Sequence, residues 1–191
     1  YLKGKVFYDK INLTDGVVEV DVTTPIPRAF AGILFRTQSP TEHEEMYIRL
    51  HKSGSPDAIQ YTPVYKDVAA WQLYGPGDGW GMAAFDRDQW IPLRIEFSGD
   101  EVKIFAGQSD DAVLITHLRR DDAGGGLGLW SLFGAYFSNF RYSEEVKTDL
   151  NAPEPVRESG VIENWNLSQA FWAHDVNLTE TPSATDINWN M

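Results

Sequence analysis

The hydrophobic pattern of this chain has a period of two along almost its whole length. Val18, Val20 and Val22 alternate with Glu19 and Asp21, and Leu93, Ile95 and Phe97 alternate with Arg94 and Glu96. Successive side chains of a strand point to opposite faces, so each run reads as a strand with one apolar and one polar face. On this basis strands are predicted over residues 5–8, 16–22, 32–37, 45–51, 58–62, 69–74, 91–98, 101–105, 113–117, 126–132 and 135–142. Glycine, proline and aspartate clusters separate them, among them Gly75-Pro76-Gly77-Asp78-Gly79 and the hairpin signal Gly99-Asp100. No amphipathic helix and no repeat of fixed period is visible. Many short strands at this spacing predict an all-β, two-sheet antiparallel sandwich or barrel.

The pattern changes after residue 142. Residues 1–142 form the expected sandwich. Residues 143–160, with Pro153 and Pro155 among charges, read as a linker or strap, and 161–191 as an irregular C-terminal extension. That extension carries Trp165, Phe171, Trp172 and Trp189 but is too short for a core of its own. It is expected either to pack on the sandwich or to begin a further domain.

Within the sandwich, residues 44–74 stand out. Met46, Ile48 and Leu50 share one face of a predicted strand, while Tyr47, Arg49 and His51 share the other. A purely structural outer face has no need of a phenol, a guanidinium and an imidazole in a row. Sugar recognition does, because hydroxyls want planar polar partners and the C–H faces of a sugar ring want aromatic ones. Arg36 and Gln38 on one neighbouring run, and Gln60, Trp71, Gln72 and Tyr74 on others, extend this candidate substrate-binding set. Trp80, in a glycine-rich loop, is either a platform over that face or a plug at the sheet end. The bland alternative is a polar outer face with ordinary cross-strand pairs.

Composition narrows the partners. At 191 residues, with 42% hydrophobic and 13% aromatic residues, the chain can bury a real core. A formal charge of −12 argues against nucleic acid and against anionic membranes as partners. No apolar run approaches the ~20 residues that span a bilayer. With no cysteine, disulfides, thiolate catalysis and cysteine-ligated zinc are excluded. The four histidines, His43, His51, His117 and His174, show no metal-binding spacing, so no metal site is assigned. The chain starts at Tyr1 with no basic or apolar leader, which reads as a processed or trimmed form.

The runs GVVEVDV, AGILFR, YIRLH, WIPLRIEFSGDEVKIF and GLGLWSLFGAYFSNFRY together resemble the concanavalin A-like lectin/glucanase sandwich, over about residues 16–142. Within it they are similar to bacterial laminin G-like modules and to 3-keto-disaccharide hydrolase-type domains. The resemblance implies a jelly roll of two stacked, curved sheets with any ligand on the concave face, where it would set Arg36 and Arg49. It also implies an exported setting, whether secreted, periplasmic or cell-surface. No organic cofactor is implied. Calcium is the metal it leaves open, with Asp78, Asp110, Asp111, Asp121 and Asp122 as oxygen donors.

Three functions follow, because this fold hosts binders, enzymes and spacers alike. The first is a module that binds a saccharide or polysaccharide. The second is an enzyme cleaving a glycosidic bond, with His51 or a nearby carboxylate as acid/base and Arg49 holding a substrate oxygen. The third is a structural or protein-interaction domain. The paired glutamates of retaining glucanases of this fold are missing, since Glu19 and Asp21 have no later glutamate to complete the motif. Oligomeric state is not legible in the sequence.

Overall fold

A computed structural model describes residues 1–86, 89–120 and 124–144. The expected linker lies outside these residues apart from Ser143 and Glu144, and the expected extension lies wholly outside them. The strands are β1 (Leu2–Leu13), β2 (Gly16–Thr23), β3 (Phe30–Ser39), β4 (Glu42–Arg49), β5 (Ile59–Tyr65) and β6 (Val68–Ala69). They continue with β7 (Trp80–Gly81), β8 (Ile91–Ser98), β9 (Glu101–Ala106), β10 (Leu114–His117) and β11 (Gly125–Ser143). All ladders are antiparallel. The architecture is the expected antiparallel β-sandwich.

The first sheet runs β1, β11, β3, β4, β5, β6, with β7 also on β5, and the second runs β10, β9, β8, β2, β11. Strand β11 therefore belongs to both. Up to Ala135 it pairs with β1 and β3, and from Tyr136 onward it pairs with β2. The sequence pattern predicts two strands here. The structure has one, bent where Phe133 and Gly134 take φ of 78° and 118°. Glycine is suited to that bend because it carries no Cβ into the left-handed region.

Between the sheets, Ile33, Phe35, Met46, Ile48 and Ile59 meet Val18, Val20, Leu93, Ile95 and Phe97, all buried. The Phe35 and Phe97 rings lie 5.1 Å apart. The apolar sides of the alternating runs thus face inward as expected. Ser98 pairs with Glu101 across the predicted Gly99-Asp100 hairpin, with Gly99 at φ 56°.

Two predicted strands are shortened. Strand β4 stops at Arg49, and Leu50–Lys52 form a 3-10 turn that keeps Leu50 in the core. The run 69–74 contributes only Ala69 to a strand, and Trp71–Leu73 form a second 3-10 turn. Its alternation has nothing to pack against, and Leu73 is left exposed.

Arg36 shows how a bulge overturns alternation. It has φ 45°, at a register shift in β3, and its side chain turns into the end of the sandwich. There Nε donates to the Thr14 carbonyl at 2.8 Å and Nη2 to the Gly99 carbonyl at 2.7 Å. Its guanidinium lies 5.5 Å from the Phe97 ring centroid, and the residue is 1% exposed. Arg36 thus ties β3 to the β1–β2 turn and the β8–β9 hairpin rather than facing a ligand. Arg36→Ala is expected to lower unfolding free energy by about 2 kcal/mol in urea titration, since bonds from a charged donor are lost. Ligand affinity measured on the folded variant is expected to stay unchanged.

Candidate functional site

Side chains on the outer face of the first sheet line up in register. Lys5 pairs with Trp130, Trp130 with Gly32, Gly32 with Tyr47, Tyr47 with Gln60, and Gln60 with Trp80. Directly paired residues share a face, so this is one row across six strands. Gly32 leaves a gap in the middle of the row. Across it the rings of Trp130 and Tyr47 meet edge to face, 5.0 Å apart. Phe30, one pair along, joins them at 6.1 Å from Tyr47 and 6.4 Å from Trp130. The Arg49 guanidinium lies 5.8 Å from the Phe30 ring centroid, and the His51 ring 5.1 Å away.

The sheet rolls toward this face. Strand β1 and the β5–β6 turn are four inter-strand spacings apart, with β11, β3 and β4 between them, which would be ~19 Å or more in a flat sheet. Yet Lys5 Nζ is 3.5 Å from Asp67 Oδ1. Phe7 on β1 likewise approaches His43 on β4, with ring centroids 5.9 Å apart. The face is therefore concave. At the Phe7 end it holds Leu34, His43, Glu45 and Thr62, all buried. At the other end are Tyr47, Arg49, Gln60, Trp80 and Trp130.

The polar groups here are only partly satisfied. Tyr47 Oη donates to Gln60 Oε1, and Arg49 Nη1 is paired with Asp57. Arg49 Nε, Gln60 Nε2 and Trp80 Nε1 are buried donors with no hydrogen-bond partner among the described residues. Both His43 ring nitrogens are in the same position, with Nε2 3.6 Å from Glu45 Oε2. Buried donors are normally bonded, and leaving one unmade costs ~1–3 kcal/mol, so three beside one aromatic cluster call for a ligand or bound water.

Burial is the main influence on the protonation states at the site. Burial raises the Tyr47 phenol well above its usual range, and the Glu45 and Asp57 carboxylates push the same way against Arg49. The phenol stays a neutral donor. Burial also lowers the His51 pKa, and the Arg49, Arg28 and Lys52 charges add to this against a contact with the Ala29 carbonyl. His51 is thereby neutral at pH 7.

The structure thus gathers Tyr47, Arg49, Gln60 and Trp80, with His51 at the margin through Phe30. It sets the other sequence candidates apart. Arg36 is inside the sandwich end, and Gln38 Nε2 donates to the Gly124 carbonyl. Trp71 and Gln72 sit on the second 3-10 turn, and Tyr74 lies against the Arg119 guanidinium, 5.4 Å from its ring centroid. Phe30, Trp130 and Asp57 are the residues that sequence reasoning missed as site members, while Glu45 is one of the nearby carboxylates it considered. Phe30 shares the parity of Gly32, but Trp130 joins only through a pairing 98 positions away.

Among the described residues no three His, Asp or Glu side chains gather as a metal site. Of the calcium candidates, Asp78 is held by Arg119, and Asp121 and Asp122 lie outside the described residues. Among the described residues no helix is long and apolar enough to cross a membrane.

No family model matches the chain, and no curated protein matches it. Solved structures do resemble it. The carbohydrate-binding module CBM66 from Bacillus subtilis superposes with a TM-score of 0.59 at 18% identity, covering 74% of this chain and 83% of the module. CG-16, a homodimeric agglutinin from chicken liver, gives 0.53 at 12%, covering 73% and 99%. A toad ovary galectin in complex with thio-digalactose gives 0.51 at 16%, covering 74% and 99%. At these identities the likeness is one of fold: the chain shares the antiparallel β-sandwich of these structures.

Proposed function

We propose that this protein binds a saccharide on the concave face of its first sheet, at Tyr47, Arg49, Gln60, Trp80 and Trp130. One observation carries this reading. Three buried N–H donors without partners among the described residues stand beside an aromatic cluster, which matches a ligand with oxygen atoms on its edges and C–H groups on its faces. Binders of that chemistry among the fold's neighbours support it, as does the galectin solved with thio-digalactose.

Binding is favoured over glycosidic-bond cleavage by the state of the carboxylates. Glycoside hydrolysis calls for two carboxyl groups on either side of the scissile bond. On this face Glu45 is buried beside His43, and Asp57 is engaged by Arg49.

The reading is tested with a glycan array followed by calorimetry on the best ligand. Trp130→Ala and Gln60→Ala are each expected to weaken binding about tenfold, or roughly 1.4 kcal/mol. A blank array would overturn the function, and binding indifferent to both changes would move the site elsewhere.

A further inference from the structure

We infer that the ligand unit seated between Tyr47 and Glu45 is a neutral, hydroxyl-bearing sugar, and that this site discriminates against uronic acids and other anionic sugars. The inference rests on the saccharide-binding reading above and adds the chemical class of the ligand.

The charges that act on the Tyr47 phenol are those of Glu45, Asp57 and Arg49. Arg49 is paired with Asp57, and Lys5 with Asp67. That leaves the Glu45 carboxylate, 3% exposed, beside the His43 ring and two residues along β4 from Tyr47 on the same side. The local balance is therefore negative. A second carboxylate placed against Tyr47 and Gln60 would meet Glu45 and Asp57 in a poorly solvated site, where like charges are costly.

The unsatisfied groups give the complementary half. Gln60 Nε2 and Trp80 Nε1 are neutral donors, and Arg49 Nε belongs to a guanidinium whose charge Asp57 already offsets. They ask for acceptor oxygens. Glu45 and Gln60 Oε1 are acceptors and ask for donors. A hydroxyl group does both, giving its proton to one side and its lone pairs to the other. A carboxylate can only accept, and an ammonium can only donate. Gln60, one residue 1% exposed, offers both an acceptor and an unbonded donor and fixes where that hydroxyl sits.

Matched pairs test this on the unaltered protein by calorimetry: glucose with glucuronic acid, galactose with galacturonic acid, and mannose with mannuronic acid, at pH 7 and low salt. The neutral member of any pair that binds is expected to bind at least about tenfold more tightly than its acid. Glu45→Gln, which keeps size and shape, is expected to narrow that gap several-fold. Equal or tighter binding of a uronate overturns the inference while leaving saccharide binding intact. Failure of every sugar, in these pairs and on the array, overturns the reading beneath it as well.

Discussion

Raising the pH from 5 to 8 should destabilise this protein by roughly 2–3 kcal/mol through Glu44 alone, and Glu44→Gln should abolish that contribution. Glu44 lies on the core side of β4, fully buried, and accepts a hydrogen bond from Tyr61 Oη at 2.8 Å. Its second oxygen, Oε1, has no partner among the described residues. Burial raises its pKa to about 7, outweighing the Tyr61 bond and the Arg120 and Arg36 charges, which pull it down. An unfolded glutamate releases its proton near 4.5. Between those values folding takes up a proton, so the stability is full below the unfolded pKa and is lost as pH rises through the folded one. His51 works the other way, its lowered pKa removing stability as pH falls below about 6.5. The difference between wild type and Glu44→Gln, measured by urea titration at several pH values, isolates Glu44. Parallel curves would show that Glu44 is ionised throughout.

Gly32→Ala is expected to cost about 3 kcal/mol or more, at the upper end of what overpacking does. A Cβ on Gly32 would stand 1.9 Å from the Met46 carbonyl oxygen and 2.6 Å from Tyr47 Cα. Both belong to backbone, so β4 itself must move. Thermal melting reads the loss. If the variant still folds, its saccharide affinity should fall too, because the same methyl enters the gap that lets Trp130 meet Tyr47. A melt within a few degrees of wild type would mean that the ladder opens there more easily than its geometry implies.

Much of the fold was legible because alternation is a local property. Val18, Val20, Val22, Leu93, Ile95 and Phe97 could be assigned to the core from spacing alone, and the Gly99-Asp100 hairpin from two residues. The face carrying Tyr47 and Arg49 was legible for the same reason. What escaped was non-local or depended on a single dihedral. Trp130 reaches Tyr47 only through the pairing of β11 with β3. Arg36 has the parity of a ligand-facing residue, and one positive φ turns it inward. The run from Trp71 to Tyr74 alternates like a strand, but a 3-10 turn breaks the alternation.

The shared strand β11 has a consequence for how the chain is made. Strands β1, β2 and β3 all find a partner in it, and among the described residues β1 pairs with no other strand. During synthesis from the N-terminus, hairpins such as β3–β4 and β8–β9 can close early. The edges of β1 and β3, however, stay open until residues 125–143 have emerged. Completion of both sheets is then one late event, dominated by contacts between distant parts of the chain, which folds slowly. A ribosome stalled before Gly125 would carry a nascent chain with unpaired edges and no means of covering them, the form most prone to aggregation and most in need of a chaperone.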